Sequence, residues 1–164
     1  MTRNESRRQV LKAMGAGVAL LAAPRLARAQ GATAVTAAAG VQWNAAAFNA
    51  QSVADALKAL GAGTPAPTAE VAWGATPEIA ENGAVVPVNV TSKLPGTEAI
   101  AILIDKNPNK LAAHFHFLPG AEPAVSTRVK ISESSNVYAL VKTKGDKYYM
   151  AVREIKVTLG GCGG

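Results

Sequence analysis

Val86, Val88 and Val90 alternate with Pro87, Asn89 and Thr91, and the same period of two returns along most of the remaining chain. A strict two-residue period puts successive side chains on opposite faces of an extended strand. Phe115 and Phe117 alternate with His114 and His116, and Val125, Thr127, Val129 and Ile131 alternate with Ser126, Arg128 and Lys130. Val137, Ala139 and Val141 form a further strand, and a long last one runs from Lys147 to Leu159. Ile100, Ile102 and Ile104 alternate with Ala101 and Leu103, so that strand is apolar on both faces and is expected to be covered on both. Turn residues separate the runs at Glu81-Asn82-Gly83, Leu94-Pro95-Gly96, Asn107-Pro108-Asn109, Leu118-Pro119-Gly120 and Lys144-Gly145-Asp146. Six or seven short strands spaced in this way predict a mainly β fold, an immunoglobulin-like antiparallel β-sandwich. Pro87 cannot donate to a ladder, so it predicts an edge or a bulge at that point.

Only one stretch before the strands has a helical period. Val53, Ala56, Leu57 and Leu60 share a stripe that Asp55 and Lys58 avoid, which predicts one helix from Asn44 to Leu60. Gly61 is placed to cap it, with Pro65 and Pro67 beyond. Residues 44–159 are thus read as one domain of helix and sandwich, and residues 30–43 as a flexible lead-in of low complexity.

Residues 1–29 have the order of an export signal. Arg7-Arg8 with Val10-Leu11-Lys12 precede a weakly apolar run of 11 residues, Ala13 to Ala23, and then an Ala27-Arg28-Ala29 cleavage site. The arginine pair matches the twin-arginine type. The apolar run is too short to span a bilayer. This predicts a periplasmic mature protein without a membrane anchor. It also changes the meaning of the net charge of +6. The leader carries Arg3, Arg7, Arg8, Lys12, Arg25 and Arg28 against Glu5, and removing its +5 leaves +1. The rest has no block of like charge, so a nucleic-acid partner is not expected.

Candidate chemistry is sparse. His114 and His116 on one strand would point the same way, as metal ligands do, but zinc needs a third protein ligand and the sequence identifies none. The simpler reading is two half-exposed histidines opposite a phenylalanine core face. Trp43 and Trp73 read as packing anchors. Ser126 and Ser132 lack a nucleophile motif.

The remaining feature is the tail, Gly160-Gly161-Cys162-Gly163-Gly164, which holds the single cysteine of the chain. No disulfide can form within the chain. An unpaired cysteine in an oxidising compartment implies intermolecular pairing or a reactive thiol. Nothing adjacent in sequence lowers its pKa, and the four glycines restrict the backbone least, so the setting is poor for a rigid catalytic nucleophile. It suits a thiol delivered into another protein's active site on a thin arm that three residues beyond Leu159 can extend by roughly 10 Å. A secreted enzyme using Cys162, or a β-sandwich module tethered to a partner by a disulfide through Cys162, is the alternative.

The tail and the export signal together closely resemble SoxY, the sulfur-carrier subunit of the Sox thiosulfate-oxidising system. Ser52-Val53-Ala54-Asp55-Ala56-Leu57, Ile79-Ala80-Glu81-Asn82-Gly83, Lys106-Asn107-Pro108-Asn109, Phe115-His116-Phe117, Val125 to Lys130 and Val152 to Thr158 also resemble the family. The resemblance implies a carrier that is not an enzyme and holds no cofactor. Cys162 would bind substrate sulfur as an S-thiosulfonate, with Gly160, Gly161, Gly163 and Gly164 as the swinging arm. Its implied partners are SoxZ, a second small β-sandwich protein forming a heterodimer, a c-type cytochrome conjugating complex, a sulfate thiohydrolase and, in some organisms, a sulfur dehydrogenase.

Overall fold

A computed structural model describes residues 42–159. The export signal at 1–29, most of the lead-in and the arm at 160–164 lie outside the described residues.

The predicted helix is two helices, α1 (Ala45–Phe48) and α2 (Val53–Ala59). The break has a local cause. The Ser52 hydroxyl accepts the Asp55 backbone N–H at 3.0 Å and donates to the Asp55 carboxylate at 2.6 Å, so Ser52 starts a new helix instead of continuing the old one. Asn44 caps α1 through the Ala47 N–H and donates its amide to the Ala59 carbonyl at 2.8 Å, tying the start of α1 to the end of α2. Gly61 ends α2 as expected. Its φ is +76°, and the bonds Ala62 N–H to Leu57 O and Gly61 N–H to Lys58 O close the helix.

The strands are β1 (Ala66–Pro67), β2 (Val71–Trp73), β3 (Ile79–Asn82), β4 (Val86–Ser92), β5 (Thr97–Ile104), β6 (Leu111–His116), β7 (Ala124–Val129), β8 (Ser135–Thr143) and β9 (Lys147–Leu159). One sheet runs β1-β9-β8-β5-β6, with β3 also on β9; the other runs β2-β4-β7. The long strands pair antiparallel, as predicted. β1 and β3 depart from that pattern and lie parallel to β9 along its outer edge. Strands of two to four residues are too short to display a period, so alternation does not separate β1, β2 and β3 from loops.

The larger sheet has two apolar faces because it has two coverings. Ile100, Ile102, Ile104, Val137, Val141 and Ile155 meet Val86, Val88, Val90 and Val129 of the smaller sheet. On the reverse face Ala101, Leu103 and Leu140 meet Ala47, Ala56 and Leu57 of the helices. The double-sided apolar pattern of β5 is thus explained by a helix layer, a large sheet and a small sheet. Burying a side chain such as Ile102 contributes on the order of 2 kcal/mol relative to leaving it exposed. Pro87 lies opposite Arg128 of β7, and β2 covers β4 only from Val90 to Ser92. The proline therefore sits where β4 has one neighbour, as an edge position requires.

Candidate functional site

Cys162 and its four glycines lie outside the described residues, so the structure defines the base on which they are mounted. That base is the end of β9. β8 stops pairing at Ile155, and from there β9 is held from other sides. Lys156 N–H donates to Glu78 O at 2.9 Å, Val157 N–H donates to Ser134 Oγ at 2.9 Å, and the Thr158 hydroxyl donates to Glu81 O at 3.0 Å. The pairing of Asn82 with Leu159 carries the ladder to the last described residue. Further back, Arg153 donates to Thr76 O at 2.8 Å and lies 5.7 Å over the Trp73 ring. The strand that precedes the tail is therefore tied on both edges as far as Val157 and on the β3 edge to Leu159. Sequence alternation located β9, but its clamp by residues 78–82 and Ser134 has no local signal, because the partners lie far along the chain.

His114 and His116 share a face, as strand geometry requires, with ring centroids 4.2 Å apart. They face the helix-covered side, where Leu60, Ala101, Leu140, Lys142 and Tyr148 line a small cavity with them. Phe115 and Phe117 pack on the opposite, sandwich side. Burial first, and then the neighbouring His116 and Lys142, lower the His114 pKa to about 4. Lys142 is held to Asp146 at 2.8 Å, and that bond raises its own pKa. A cation beside the pair disfavours a second positive charge there. Among the described residues no group of three His, Cys, Asp or Glu side chains converges as metal ligands would.

The tryptophans divide. Trp73 packs against the sandwich core beneath Arg153. Trp43 is 71% exposed and stacks on Phe48 at 4.1 Å, so it is not the core anchor that its size predicts.

Asn107 is a buried polar residue that the sequence marks only as part of a turn. Its amide donates to Lys130 O at 2.7 Å and its carbonyl accepts Ser132 N–H at 2.9 Å, which clips the β5–β6 loop of one sheet to the end of β7 in the other. An asparagine beside a proline is the ordinary signature of a turn, so nothing local marks it as a clamp between sheets.

A model of the family described as sulfur oxidation protein SoxY matches residues 57–162, a span that ends on the single cysteine. The chain belongs to the SoxY family. The sulfur carrier protein SoxY from Chlorobium limicola f thiosulfatophilum is 37% identical, with a TM-score of 0.55, over 64% of this chain and 96% of that one. A superoxide reductase (neelaredoxin) of Ignicoccus hospitalis is 21% identical, with a TM-score of 0.48, over 53% of this chain and 79% of that one. A putative superoxide reductase of Thermotoga maritima is 18% identical, with a TM-score of 0.46, over 57% and 87%. No curated protein matches the chain by sequence. Membership of the SoxY family gives the chain a role in sulfur oxidation and aligns it with a sulfur carrier of the same sandwich architecture.

Proposed function

We propose that the mature chain is a periplasmic carrier on which thiosulfate-derived sulfur is held at Cys162 while partner enzymes oxidise it. The observation that carries this reading is the family match, which runs through the whole sandwich and ends on the single cysteine. In the first step the Cys162 sulfur bonds to the outer sulfur of thiosulfate. The thiol proton goes to solvent, and two electrons go to the haem of a c-type cytochrome complex. Water then attacks the sulfone sulfur of the Cys162 S-thiosulfonate. The bond between sulfane and sulfone sulfur breaks, sulfate leaves, and a persulfide remains on Cys162. A sulfur dehydrogenase, where one is present, oxidises that sulfane.

The chain's own part is presentation. The thiol must enter several active sites in turn, so the activating groups belong to the visited enzymes and the glycines Gly160, Gly161, Gly163 and Gly164 keep the approach thin. The clamp on β9 fixes where the arm leaves the domain. A SoxZ-type subunit forms the heterodimer with it, and the twin-arginine signal exports the folded pair to the periplasm.

The test is intact mass after incubation with thiosulfate and the purified cytochrome complex. The expected result is a gain of one thiosulfate unit on the wild-type chain and none on Cys162→Ser. A disulfide to a partner polypeptide in place of that adduct would favour the tethered-module alternative, and an unmodified Cys162 that still supports thiosulfate-dependent electron transfer would sink the carrier reading.

A further inference from the structure

β6 and β7 are the terminal strands of their respective sheets, and they lie on the same side of the sandwich. The sheets do not close there. A cavity of about 440 Å³ opens between them, with Leu111, Ala112 and Ala113 of β6 on one wall and Thr127 and Val129 of β7 on the other. Asn107 clips the two sheets together at one end of this groove.

Three properties set this edge apart. First, β6 carries no charged or proline guard, its one irregularity being the register shift opposite Ile102 and Leu103. Leu111-Ala112-Ala113-His114-Phe115-His116 contains no lysine, no acid and no proline, the residues with which proteins normally blunt an open strand. Phe117 N–H donates inward to Glu98 O, so strand alternation turns the backbone groups of His114 and His116 outward, away from β5. Second, the walls are small. Alanines leave a trough where larger side chains would have filled the space. Third, the rim is basic. Arg128 and Lys130 are exposed beside the groove and form no ion pair among the described residues, and Lys106 and Lys110 lie in the adjoining loop.

We propose that this groove is a docking surface for an edge β-strand of a separate polypeptide, apolar at alternate positions and flanked by carboxylates. The added strand continues the larger sheet past β6, inserts its inward side chains between β6 and β7, and sets its acids against Arg128 and Lys130. A second copy of this chain fits less well, because an isologous contact would place each basic rim against its own equivalent. The position also suits the arm. β6 is three strands from β9 in the larger sheet, roughly 14 Å at ordinary strand spacing, so a strand added there leaves the arm-bearing edge clear. This surface rests on the heterodimer reading above and names where that partner sits.

The probe is the SoxZ-type protein of the same organism, purified and mixed with the mature wild-type chain. Amide exchange at His114 and His116 should slow at least about 10-fold on binding. Ala113→Trp, which fills the trough, and separately Arg128→Glu with Lys130→Glu, which reverses the rim, should each weaken the Kd at least about 10-fold. The charge-reversed variant leaves every core residue in place and so serves if Ala113→Trp does not fold. Raising salt should weaken the wild-type complex more than the charge-reversed one. A complex of unchanged affinity in both variants, or protection confined to β2 or the outer edge of β9, overturns the surface and leaves the carrier reading intact. Failure of the wild-type chain to bind the probe overturns the surface and the heterodimer together, while loading of Cys162 is still read by mass. Self-association of the wild-type chain abolished by Ala113→Trp, without binding of the probe, assigns the groove to a second copy and also overturns the proposal.

Discussion

Acid should weaken this domain through His114. The imidazole is half-buried beside His116 and Lys142, and burial first, then these two neighbours, hold its pKa at about 4 against an ordinary 6.5. The sign follows from proton binding. Between pH 6.5 and 4 the unfolded chain carries a proton on this group and the folded chain does not, so stability is complete above pH 6.5 and is lost as pH falls toward 4. The full difference corresponds to roughly 3 kcal/mol, but the ring is partly open to water, and screening leaves about 1 kcal/mol. For a domain of this size that is about 3–5 °C in Tm.

The assay compares Tm of the mature wild-type chain at pH 7.5 and pH 4.5 with that of His114→Gln, which cannot titrate. Both proteins lose stability in acid through their carboxylates. The wild type should lose about 1 kcal/mol more. His116→Gln should recover a smaller part of that excess, because His116 contributes less than burial. The reasoning is refuted if His114→Gln shows the same acid loss as the wild type, or if the His114 ring titrates near 6.5 in the folded protein by NMR.

Other expectations are simpler to state. Ser52→Ala should cost about 1 kcal/mol in urea unfolding, since it removes the hydroxyl that both accepts Asp55 N–H and donates to its carboxylate. Ile102→Ala should cost on the order of 3 kcal/mol, because the side chain is fully buried between the sheets. Thr158→Val should leave global stability within about 0.5 kcal/mol but speed amide exchange at the end of β9, because the hydroxyl bond to Glu81 O is exposed and lies at the very end of the strand. On the carrier reading, replacing Gly161 and Gly163 with valine should leave melting and free-reagent alkylation of Cys162 nearly unchanged. Turnover by the conjugating and hydrolysing enzymes should fall by up to about 100-fold. Equal losses in both rates would mean that the glycines serve only accessibility.

What alternation can show and what it cannot divide along a physical line. β5, β8 and β9 are long and half or wholly buried, so each writes its period into the sequence, and β9 begins and ends where the pattern does. The two-sided apolar run of β5 even announces a second covering layer, though not that two short helices provide it. The break between those helices depends on the Ser52 hydroxyl competing for the backbone, which a hydrophobic stripe cannot register. On the carrier reading, the reactive position is marked in the sequence for the opposite reason. Cys162 stands out because it is the single cysteine and no apolar period or turn signal accounts for its setting. The contacts that hold the end of β9 are the least visible in sequence, since they act across long separations. Glu78, Glu81 and Ser134 hold β9 through backbone carbonyls and one hydroxyl. Backbone carbonyls are supplied by any residue, so such a clamp places almost no demand on side-chain identity. On the carrier reading, the chain concentrates its sequence signal in the tail and spreads its mechanical signal through the fold. Most side-chain substitutions at residues 78–82 should therefore leave the presentation of the thiol unchanged, whereas removing the Ser134 hydroxyl should loosen the end of β9.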